Sequence, residues 1–569
     1  MKKINYTQQQ RDAISSTASK LLIISVAGSG KTTTLVGRIN RLLKNGMSPK
    51  RILVMTFTNK MAKELINKLP RLKWVGNFHS IGIKMINMFA EEAGLKPGIN
   101  VVSEVERKDI MAEIRTLCNM SSYPYKKIEE NIKNHLAGKR VLDYKFGVFI
   151  KLWEEYFAAN NLIDFDSIER KWLELLNKNG KASKIMRRMF EHIIVDEYQD
   201  TSALEDLILR GMKSANICVV GDIFQNIYEF RGTTIDNILR FKEEADEVVA
   251  IQETFRIPQS QVGFVNKVLS LNNIGYDLQL VSNSKGKGHE IVVTTGETIA
   301  EDLRKKVLYY SKVYPLNEIM ILCRTNYHVA QIRAMLADMP AETVRSDVGW
   351  FGTVGKIIVA YIKFMINTSN RYYTERFVRA ISLMTGVEVQ KCLSKSKFDK
   401  ISLTEAILNR EDVNSEILKQ LLFIAKSQEM CMYDKIHAMF KLLDIDHILS
   451  WEEQLNYKLA LKTCANSLDI FMKEESSDLG DIVHWLSTIN TQDTMSQEKS
   501  IKIMTAHTSK GLEAQCVIIP WVMDNVYPHE RGNFEEELRL FYVAITRNVK
   551  VLVLLQTGES IFLDGKNGT

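Results

Sequence analysis

Residues 21–34, LLIISVAGSGKTTT, decide the fold class of this chain. An apolar, β-rich run ends at Ser25, a glycine-containing loop follows, and Lys31 and Thr32 open a helical pattern. Glycines let the backbone approach a bound anion, and the amides at a helix start face that anion. The stretch therefore predicts a strand, a phosphate-binding loop and a helix, which is a unit of an α/β protein.

Each residue type in this loop has a predicted role. Lys31 is expected to reach the terminal phosphates, and the Thr32 hydroxyl is placed to bind magnesium. The generic pattern has a glycine where this chain has Ser25. The residues expected to hold the phosphate-bearing ligand are Ala27, Gly28, Ser29, Gly30, Lys31, Thr32 and Thr33.

Further apolar runs, each followed by a helical pattern, indicate strands along the whole chain. They are LLIISVAG, RILVMTFT, HIIVDE and NICVVGD within residues 1–253, and EIMILCR, CVIIPWV and KVLVLLQ within residues 254–569. Strand and helix alternation is typical of parallel sheets, so we predict two α/β cores. Residues 91–189 and 355–495 have helical periodicity and little β signal, and each is predicted to be a helical insertion into one core. NSKGKGHE, at 283–290, is a polar connector.

Composition sets broad limits on the class of protein. The 569 residues are 45% hydrophobic, which allows several packed domains and excludes a mainly disordered chain. A net charge of +7 suits a phosphate-backbone ligand, but it is weak evidence alone. Seven cysteines without a CxxC pair indicate neither a zinc site nor a disulfide framework. The polar start, MKKINYTQQQRD, is unlike a signal peptide, and no apolar stretch could span a bilayer, so we expect a cytoplasmic protein.

The run HIIVDEYQD ends in two adjacent carboxylates, Asp196 and Glu197. Such a pair at a strand's end is more often merely solvated, unless a phosphate loop accompanies it, as one does here. Asp196 is then expected to hold magnesium, directly or through water. Glu197 is expected to polarise the water that attacks the γ-phosphate.

Several other motifs follow one another in order between residues 6 and 547. They are YTQQQRDAI, TFTNKMAKEL, GNFHS, DEYQDTS, GDIFQNIYEFRG, ETFRIP, TAHTSKGLEAQCVII and EEELRLFYVAITR. Their order, spacing and content resemble the motif set of superfamily-one helicases of the UvrD/Rep/PcrA family. The resemblance covers almost the whole chain.

This resemblance implies an α/β fold of two RecA-like parallel-sheet motor domains, each with a mainly helical insertion. It places the first motor domain at 1–90 and 190–253, its insertion at 91–189, the second motor domain at 254–354 and 496–569, and its insertion at 355–495. It implies an ATP-dependent DNA helicase that steps by one nucleotide, three-prime to five-prime, on single-stranded DNA and unwinds duplex. ATP and Mg²⁺ are the implied cofactors, and single-stranded DNA and single-strand/duplex junctions are the implied partners.

The resemblance also assigns residues to the nucleotide. They are Gln10 at the adenine edge, Phe255 on the adenine ring, Glu513 at the ribose, Gln225 at the γ-phosphate, and Arg256 and Arg547 as arginine fingers. Fixed guanidinium groups would neutralise charge that develops in the transition state. Together with the loop lysine and the acidic pair, the implied catalytic residues are Lys31, Glu197, Gln225, Arg256 and Arg547, and the implied metal ligands are Thr32 and Asp196.

A third set of residues is assigned to the nucleic acid by the resemblance. They are Phe57 and Phe230, on which bases would stack, and Thr58, Asn59, His79, Arg231 and His507, which would contact backbone or bases. Stacking tolerates any sequence because every base has a π face. Core packing is the alternative for each aromatic residue, and it is favoured for Tyr228 and Phe541. A structural role is the alternative for the two histidines.

The chain departs from the family pattern at three places. The family usually has an acidic helix start after a glycine turn, but the stretch VGWFGTVGKIIVAYIKFMIN has no acid before Lys356. LMTGVEVQ, around Gly386, is the nearest match to the family's duplex-gripping element. Only 22 residues follow Arg547, with Phe562 the one aromatic left for a strand-separating role, and no nuclease domain is expected.

These departures leave a second hypothesis open, a single-strand DNA translocase or DNA-gated ATPase that does not unwind alone. Such a motor would work beside a separate nuclease in a repair or defence complex. A third hypothesis, a regulatory subunit with an inactive nucleotide site, is disfavoured by the intact set of hydrolytic residues.

Overall fold

The computed structural model describes most of the chain. The described residues are 4–57, 59–136, 143–229, 232–273, 278–284, 291–295, 298–344, 353–385, 392, 395–396, 401–409, 413–427, 429–444, 500–530 and 532–564. Several predicted features lie outside them. These are Thr58, Phe230, Arg231, Gly386 and most of the 283–290 connector.

The strands form where apolar and β-branched residues run together. In chain order they are β1 Lys20–Ser25, β2 Ile52–Thr56, β3 Trp74–Asn77, β4 Asn100–Val102, β5 Leu162–Asp164, β6 His192–Val195, β7 Asn216–Gly221, β8 Glu247–Ile251, β9 Glu253–Thr254, β10 Val281–Ser282, β11 Val292–Thr295, β12 Ile319–Cys323, β13 Ala341–Val344, β14 Ile501–Thr505, β15 Ala514–Ile519 and β16 Asn548–Gln556.

Helices occupy most of the remaining described residues. In chain order they are α1 Gln8–Ser15, α2 Lys31–Lys44, α3 Asn59–Lys68, α4 Phe78–Met88, α5 Glu104–Leu117, α6 Tyr125–Leu136, α7 Tyr144–Ala159, α8 Phe165–Asn177, α9 Lys181–Met189, α10 Ala203–Gly211, α11 Asp236–Glu244, α12 Gln259–Leu269, α13 Ile299–Tyr310, α14 Asn326–Met335, α15 Thr353–Ile366, α16 Arg371–Thr385, α17 Leu403–Leu408, α18 Val413–Lys426, α19 Met432–Leu442, α20 Phe534–Ile545 and α21 Ile561–Asp564.

The first sheet has six parallel strands in the order β3-β2-β6-β7-β1-β8. In this register Leu22 of β1 lies between Val219 of β7 and Val248 of β8. Strands that are covered on both faces have continuous apolar runs, and every residue of β2 is buried. The carboxyl ends of parallel strands share one edge, so the loops after β1, β2, β3, β6 and β7 lie along the same edge of this sheet.

The second sheet also has six parallel strands, in the order β11-β16-β15-β12-β14-β13. Ile321 of β12 lies between Ile503 of β14 and Ile518 of β15, in the middle of a buried aliphatic core. Strands β11 to β13 precede the long segment 345–499 and strands β14 to β16 follow it. The chain therefore completes this sheet only after the segment predicted to be an insertion.

The chain divides into two compact units. The first unit contains both six-stranded sheets and consists of Met1–Gly82, Trp172–Ser346 and Gln497–Thr569. The second unit consists of Ile83–Lys171 and Asp347–Ser496. The predicted fold class of two parallel-sheet α/β domains is confirmed. The four domain boundaries that the resemblance implies stay a prediction.

The second unit is mainly helical around an apolar core in which Tyr361, Phe377 and Leu421 are buried. A short parallel pair, β4 and β5, was not indicated by the sequence patterns. Lys363 of α15 is fully buried and forms an ion pair with Glu106 of α5. Burial of a lysine is tolerated here because its ammonium has a charged partner. No helix in the described part of the chain is long and apolar enough to cross a membrane.

Candidate nucleotide and nucleic-acid site

The phosphate loop follows β1 as predicted, and α2 begins at Lys31. Gly28 and Gly30 have φ of 73° and 77°, a left-handed conformation that glycine adopts without steric cost. The Ser25 hydroxyl, where the generic pattern has glycine, donates to the Gly221 carbonyl oxygen at 3.2 Å. Ser25 is therefore the buried end of a strand, a position that does not require glycine.

Gly28 lies against the segment 254–256 of the second α/β domain. A Cβ atom on Gly28 would be 2.5 Å from the Arg256 Cβ and 2.8 Å from the Thr254 Oγ1. The Thr254 hydroxyl donates to the Ala27 carbonyl oxygen at 2.7 Å, and the Phe255 amide donates to the Gly28 carbonyl oxygen at 2.9 Å. The ETFRIP motif is thus bound to main-chain carbonyl groups of the phosphate loop by one side-chain hydroxyl and one main-chain amide.

The acidic pair lies directly after β6, beside the loop. Burial and the neighbouring Glu197 carboxylate raise the pKa of Asp196 to about 7. Its Oδ1 accepts from the Glu197 amide, whereas its buried Oδ2 has no hydrogen-bond partner among the described residues. A buried carboxylate oxygen without a partner fits a cation ligand. Mg²⁺ in such sites takes few protein ligands, and no cluster of three or more metal-binding side chains occurs in the part of the chain that is described.

Glu197 is held in position by its backbone and by two side chains. Its φ is 53°, which is uncommon for a residue with a side chain. Its Oε2 lies 3.3 Å from the Lys31 Nζ and accepts from the side-chain amide of Gln199 at 2.6 Å. Burial opposes ionisation, but the ammonium groups of Lys31 and Lys510 outweigh it and lower the pKa of Glu197 to about 2. The carboxylate is therefore ionised at neutral pH and can accept a hydrogen bond from water.

Lys31 has several acidic neighbours. Burial acts to lower the pKa of Lys31, but the carboxylates of Glu197, Asp222 and Asp196 outweigh it and raise the pKa. The buried Ser29 hydroxyl in the same loop has no hydrogen-bond partner among the described residues. A charged ammonium beside an unsatisfied hydroxyl suits a phosphate ligand.

Gln225 follows β7 in a short turn and is bound to Asp222. Its side-chain amide donates to the Asp222 Oδ2 at 2.6 Å, and both residues are buried. Asp222 belongs to the quoted GDIFQNIYEFRG motif, but the sequence assigned it no role. Its contact with Gln225 is a signal that only the structure provides.

Lys510 connects the second α/β domain to the first. It belongs to the TAHTSKGLEAQCVII motif, but the sequence assigned it no role either. Its Nζ donates to the Asp200 carboxylate and to the Gln225 carbonyl oxygen. Burial raises the pKa of Asp200 to about 6, although Lys510 acts to lower it. The same ammonium lies 5.0 Å from the ring centre of Tyr228. One side chain therefore touches both the acidic motif and the aromatic surface described below.

The two predicted arginine fingers are engaged within the protein. The Arg256 guanidinium lies 2.8 Å from the Glu513 carboxylate and donates to the Thr546 carbonyl oxygen at 3.2 Å. Arg547 is buried and donates to the Val543 carbonyl oxygen at 2.8 Å. Burial and the nearby Arg256 charge lower the pKa of Arg547 to about 9. Arg547 is within electrostatic range of Glu197, and both arginines have protein partners.

Gln10 and Phe255, the two residues predicted to bind adenine, lie beside the phosphate loop. Gln10 is buried, and its side-chain amide donates to the Ser29 carbonyl oxygen at 2.9 Å. Its Oε1 accepts from the Thr7 amide at 3.0 Å in a capping box at the start of α1. The Phe255 side chain is 42% exposed next to the loop, which is compatible with stacking on a base. Thr32 and Thr33 are both in the first turn of α2.

Three of the predicted nucleic-acid residues that the structure describes lie just after the carboxyl ends of strands. Phe57 follows β2, His79 follows β3 and His507 follows β14, and all three are half-buried. Phe57 stacks on Tyr228 with ring centres 5.3 Å apart and planes 21° apart. The sequence favours core packing for Tyr228, but this residue is half-buried in the stacked pair and does not belong to the core. Asn59 begins α3.

Two aromatic residues near the end of the chain pack together. Phe541 is fully buried, as expected, and stacks on Phe562 with ring centres 4.6 Å apart. Phe562 is also fully buried. It is therefore a core residue and has no exposed face with which to separate strands.

Comparison with known proteins agrees with this geometry. Residues 6–246 match the UvrD/REP helicase N-terminal domain, and residues 249–558 match the UvrD-like helicase C-terminal domain. The ATP-dependent DNA helicase PcrA of Staphylococcus aureus (strain Mu50 / ATCC 700699) is 26% identical, over 96% of this chain and 82% of the relative. The protein of the same name from Staphylococcus epidermidis (strain ATCC 12228 / FDA PCI 1200) is also 26% identical, over 97% and 83%. The chain therefore belongs to the UvrD/Rep helicase family of ATP-hydrolysing enzymes.

Proposed function

We propose that this protein is an ATP-dependent DNA helicase that moves three-prime to five-prime on single-stranded DNA and unwinds duplex. The observation that carries the proposal is the position of Lys510. This residue of the second α/β domain contacts Gln225 and Asp200 of the first, and it also lies on the ring of Tyr228, which stacks on Phe57. A site for phosphate chemistry and an aromatic surface suited to bases are thus joined by one side chain.

The metal, the terminal phosphates and the attacking water are assigned to residues of the first domain. Glu197 is ionised and would orient and polarise the attacking water, while Lys31 would contact the terminal phosphates. Asp196 and Thr32 would hold Mg²⁺, whose charge would stabilise the phosphate oxygens. The unpartnered Asp196 Oδ2 supports this assignment.

The arginine contacts support a mechanism that depends on domain movement. Arg256 is paired with Glu513, and Arg547 is bound to the main chain of its own helix. To act as fingers, both must exchange these partners for the γ-phosphate, so ATP binding would be linked to closure of the two domains. Hydrolysis would then release them, and each cycle would open and close the cleft.

Phe57 and Tyr228 form a stacked pair of rings at the edge of the first sheet that also carries the acidic pair. Base stacking and phosphate contacts together hold single strands without sequence preference. We propose single-stranded DNA and single-strand/duplex junctions as the substrate, with Phe230, Arg231, Thr58, Asn59, His79 and His507 as further contacts. We place this activity in the cytoplasm.

Two assays on one preparation test the proposal. ATP turnover is measured with and without single-stranded DNA or RNA, and strand displacement is measured on duplexes that carry either a three-prime or a five-prime tail. We expect stimulation by DNA and displacement of the three-prime-tailed duplex only. Lys31→Ala is the control, because it removes a phosphate contact and not a core group, and it should abolish both activities. Preference for the five-prime tail, or turnover that ignores DNA, would contradict the proposal.

The same experiment separates the helicase from the translocase that the sequence left open. A translocase would show DNA-stimulated turnover and no displacement by the chain alone. A separate nuclease stays a predicted partner, and restoration of displacement when such a partner is added would support it.

A further inference from the structure

The helix α20 presents one face to the first α/β domain. Arg539, Tyr542 and Thr546 follow one another at intervals of three and four residues, so they lie on the same side of the helix and its C-terminal cap. Arg539 donates to the Asn226 carbonyl oxygen of the first domain at 2.8 Å, whereas the Thr546 carbonyl oxygen accepts from Arg256 of the second domain itself. Tyr542, between them, makes the contact nearest to the phosphate loop.

The Tyr542 hydroxyl lies between two groups of the first domain. Its oxygen accepts from the Ala27 amide of the phosphate loop at 3.1 Å, and the hydroxyl donates to the Asp222 Oδ2, with the two oxygens 3.4 Å apart. The side chain is fully buried, and its ring makes an edge contact with Phe224. Because a hydroxyl has one hydrogen and accepts along defined directions, both partners fix its orientation.

Asp222 is the connection from this hydroxyl to Gln225. The same Oδ2 that faces Tyr542 accepts from the Gln225 side-chain amide at 2.6 Å. The other carboxylate oxygen accepts from the Phe224 amide at 3.1 Å. A change at Tyr542 therefore alters the hydrogen bonding of the carboxylate that orients Gln225.

We infer that Tyr542 is a positioning residue, whose hydroxyl makes the phosphate loop and the orientation of Gln225 depend on the place of the second domain. The inference rests on the proposed function, because it needs Gln225 to act at the γ-phosphate. When the second domain moves, the hydroxyl moves with α20, and the loop amide and Asp222 lose or regain their partner together. The contact thus links domain closure to the phosphate loop and, through Asp222, to Gln225.

Tyr542→Phe tests the inference, because it removes the hydroxyl and keeps the ring against Phe224. Tyr527→Phe is the matched control. Tyr527 is also fully buried in the second domain, but its hydroxyl has no hydrogen-bond partner among the described residues. We expect Tyr542→Phe to lower kcat for DNA-stimulated hydrolysis about tenfold, the effect of one lost hydrogen bond to a charged group. KM for ATP should change by less than about threefold, because the adenine contacts are untouched.

A double-mutant cycle with Asp222→Asn distinguishes positioning from simple packing. Asn keeps an oxygen that can accept from Gln225 but removes the charge that the hydroxyl faces. If Tyr542 acts through Asp222, the two losses in kcat should be clearly less than multiplicative in the double variant. Multiplicative losses would overturn the inference. So would a Tyr542→Phe protein with the parental kcat, or one whose loss is matched by Tyr527→Phe.

Folding and function can be kept apart in this test. Melting temperature is measured for every variant, and if Tyr542→Phe does not fold, Asp222→Asn alone still changes the contact. A parental kcat in that variant would overturn the inference. A parent protein without DNA-stimulated hydrolysis would instead refute the proposed function, whereas a stimulated parent with a normal Tyr542→Phe variant would refute only the role of Tyr542.

Discussion

Replacement of Gly28 by alanine should separate the phosphate loop from the segment that carries Arg256. The new Cβ would be 2.5 Å from the Arg256 Cβ, whereas ordinary contact begins at 3.4 Å, so the two segments must move apart by about 1 Å. The left-handed backbone of Gly28 adds about 1 to 2 kcal/mol of strain for alanine. Overpacking adds about 1 to 3 kcal/mol.

Gly46→Ala is the matched control for this substitution. Gly46 has a φ of 90°, and a Cβ atom there would meet nothing within 4 Å. Gly46→Ala should therefore lower the free energy of unfolding by about 1 to 2 kcal/mol through backbone strain alone and keep the parental ATPase activity. The difference in free energy of unfolding between the two variants, measured by urea denaturation, should be about 1 to 3 kcal/mol.

The same displacement should appear in catalysis. A shift of about 1 Å in a group that stabilises the transition state can lower the rate up to about a hundredfold. We expect DNA-stimulated kcat to fall at least about tenfold in Gly28→Ala, because Arg256 moves with the displaced segment. If Gly28→Ala and Gly46→Ala were equally stable and equally active, the close approach of the two segments would have no functional role and the reasoning would be refuted.

Three further predictions concern the hydrolytic and strand-binding residues. Glu197→Gln should still bind ATP and single-stranded DNA but turn over very slowly, since an amide cannot polarise the water; parental turnover would exclude Glu197 as the base. Burial and Glu197 raise the pKa of Asp196 to about 7, and the proton must leave before Mg²⁺ binds. Apparent Mg²⁺ affinity in ATPase titrations should therefore weaken as the pH falls below about 7, and a pH-independent affinity would contradict this. Phe57→Ala should cost roughly 1 to 3 kcal/mol of DNA binding and leave basal hydrolysis nearly unchanged. A core role for Phe57 would instead cost about 3 to 5 kcal/mol of stability, which a melting curve would reveal.

Much of the nucleotide site was predictable because its parts are local in the chain. The strand, the loop and the helix start of residues 21–34 are one continuous segment, and the acidic pair directly follows an apolar strand. In such segments the backbone conformation follows from residue type, as at Gly28 and Gly30 with their positive φ. The alternation of strands and helices likewise predicted two parallel sheets, because buried parallel strands need apolar runs and helical crossovers.

Other contacts could not be predicted, because they join residues that are far apart in sequence. Tyr542 reaches Ala27 across more than five hundred residues, and Lys510 reaches Asp200 across about three hundred. Side-chain direction and domain placement decide such contacts, and neither leaves a periodic signal in the chain. The burial of Phe562 against Phe541 is of the same kind, since an aromatic residue near a chain end has no sequence mark of its exposure.

The sequence by itself therefore determined the two sheets, the phosphate loop, the acidic pair and the identity of the residues available for catalysis. Local conformational preference and the order of motifs were sufficient for these. Only the tertiary structure decided which partners those residues have. It paired Arg256 with Glu513, placed Lys510 between the acidic motif and Tyr228, and joined Tyr542 to the phosphate loop. The contacts of Lys510 and Tyr542 depend on how the two sheets pack together, and the Arg256–Glu513 pair depends on the fold of the second domain. A hydrogen bond forms only where distant segments bring donor and acceptor within about 3 Å.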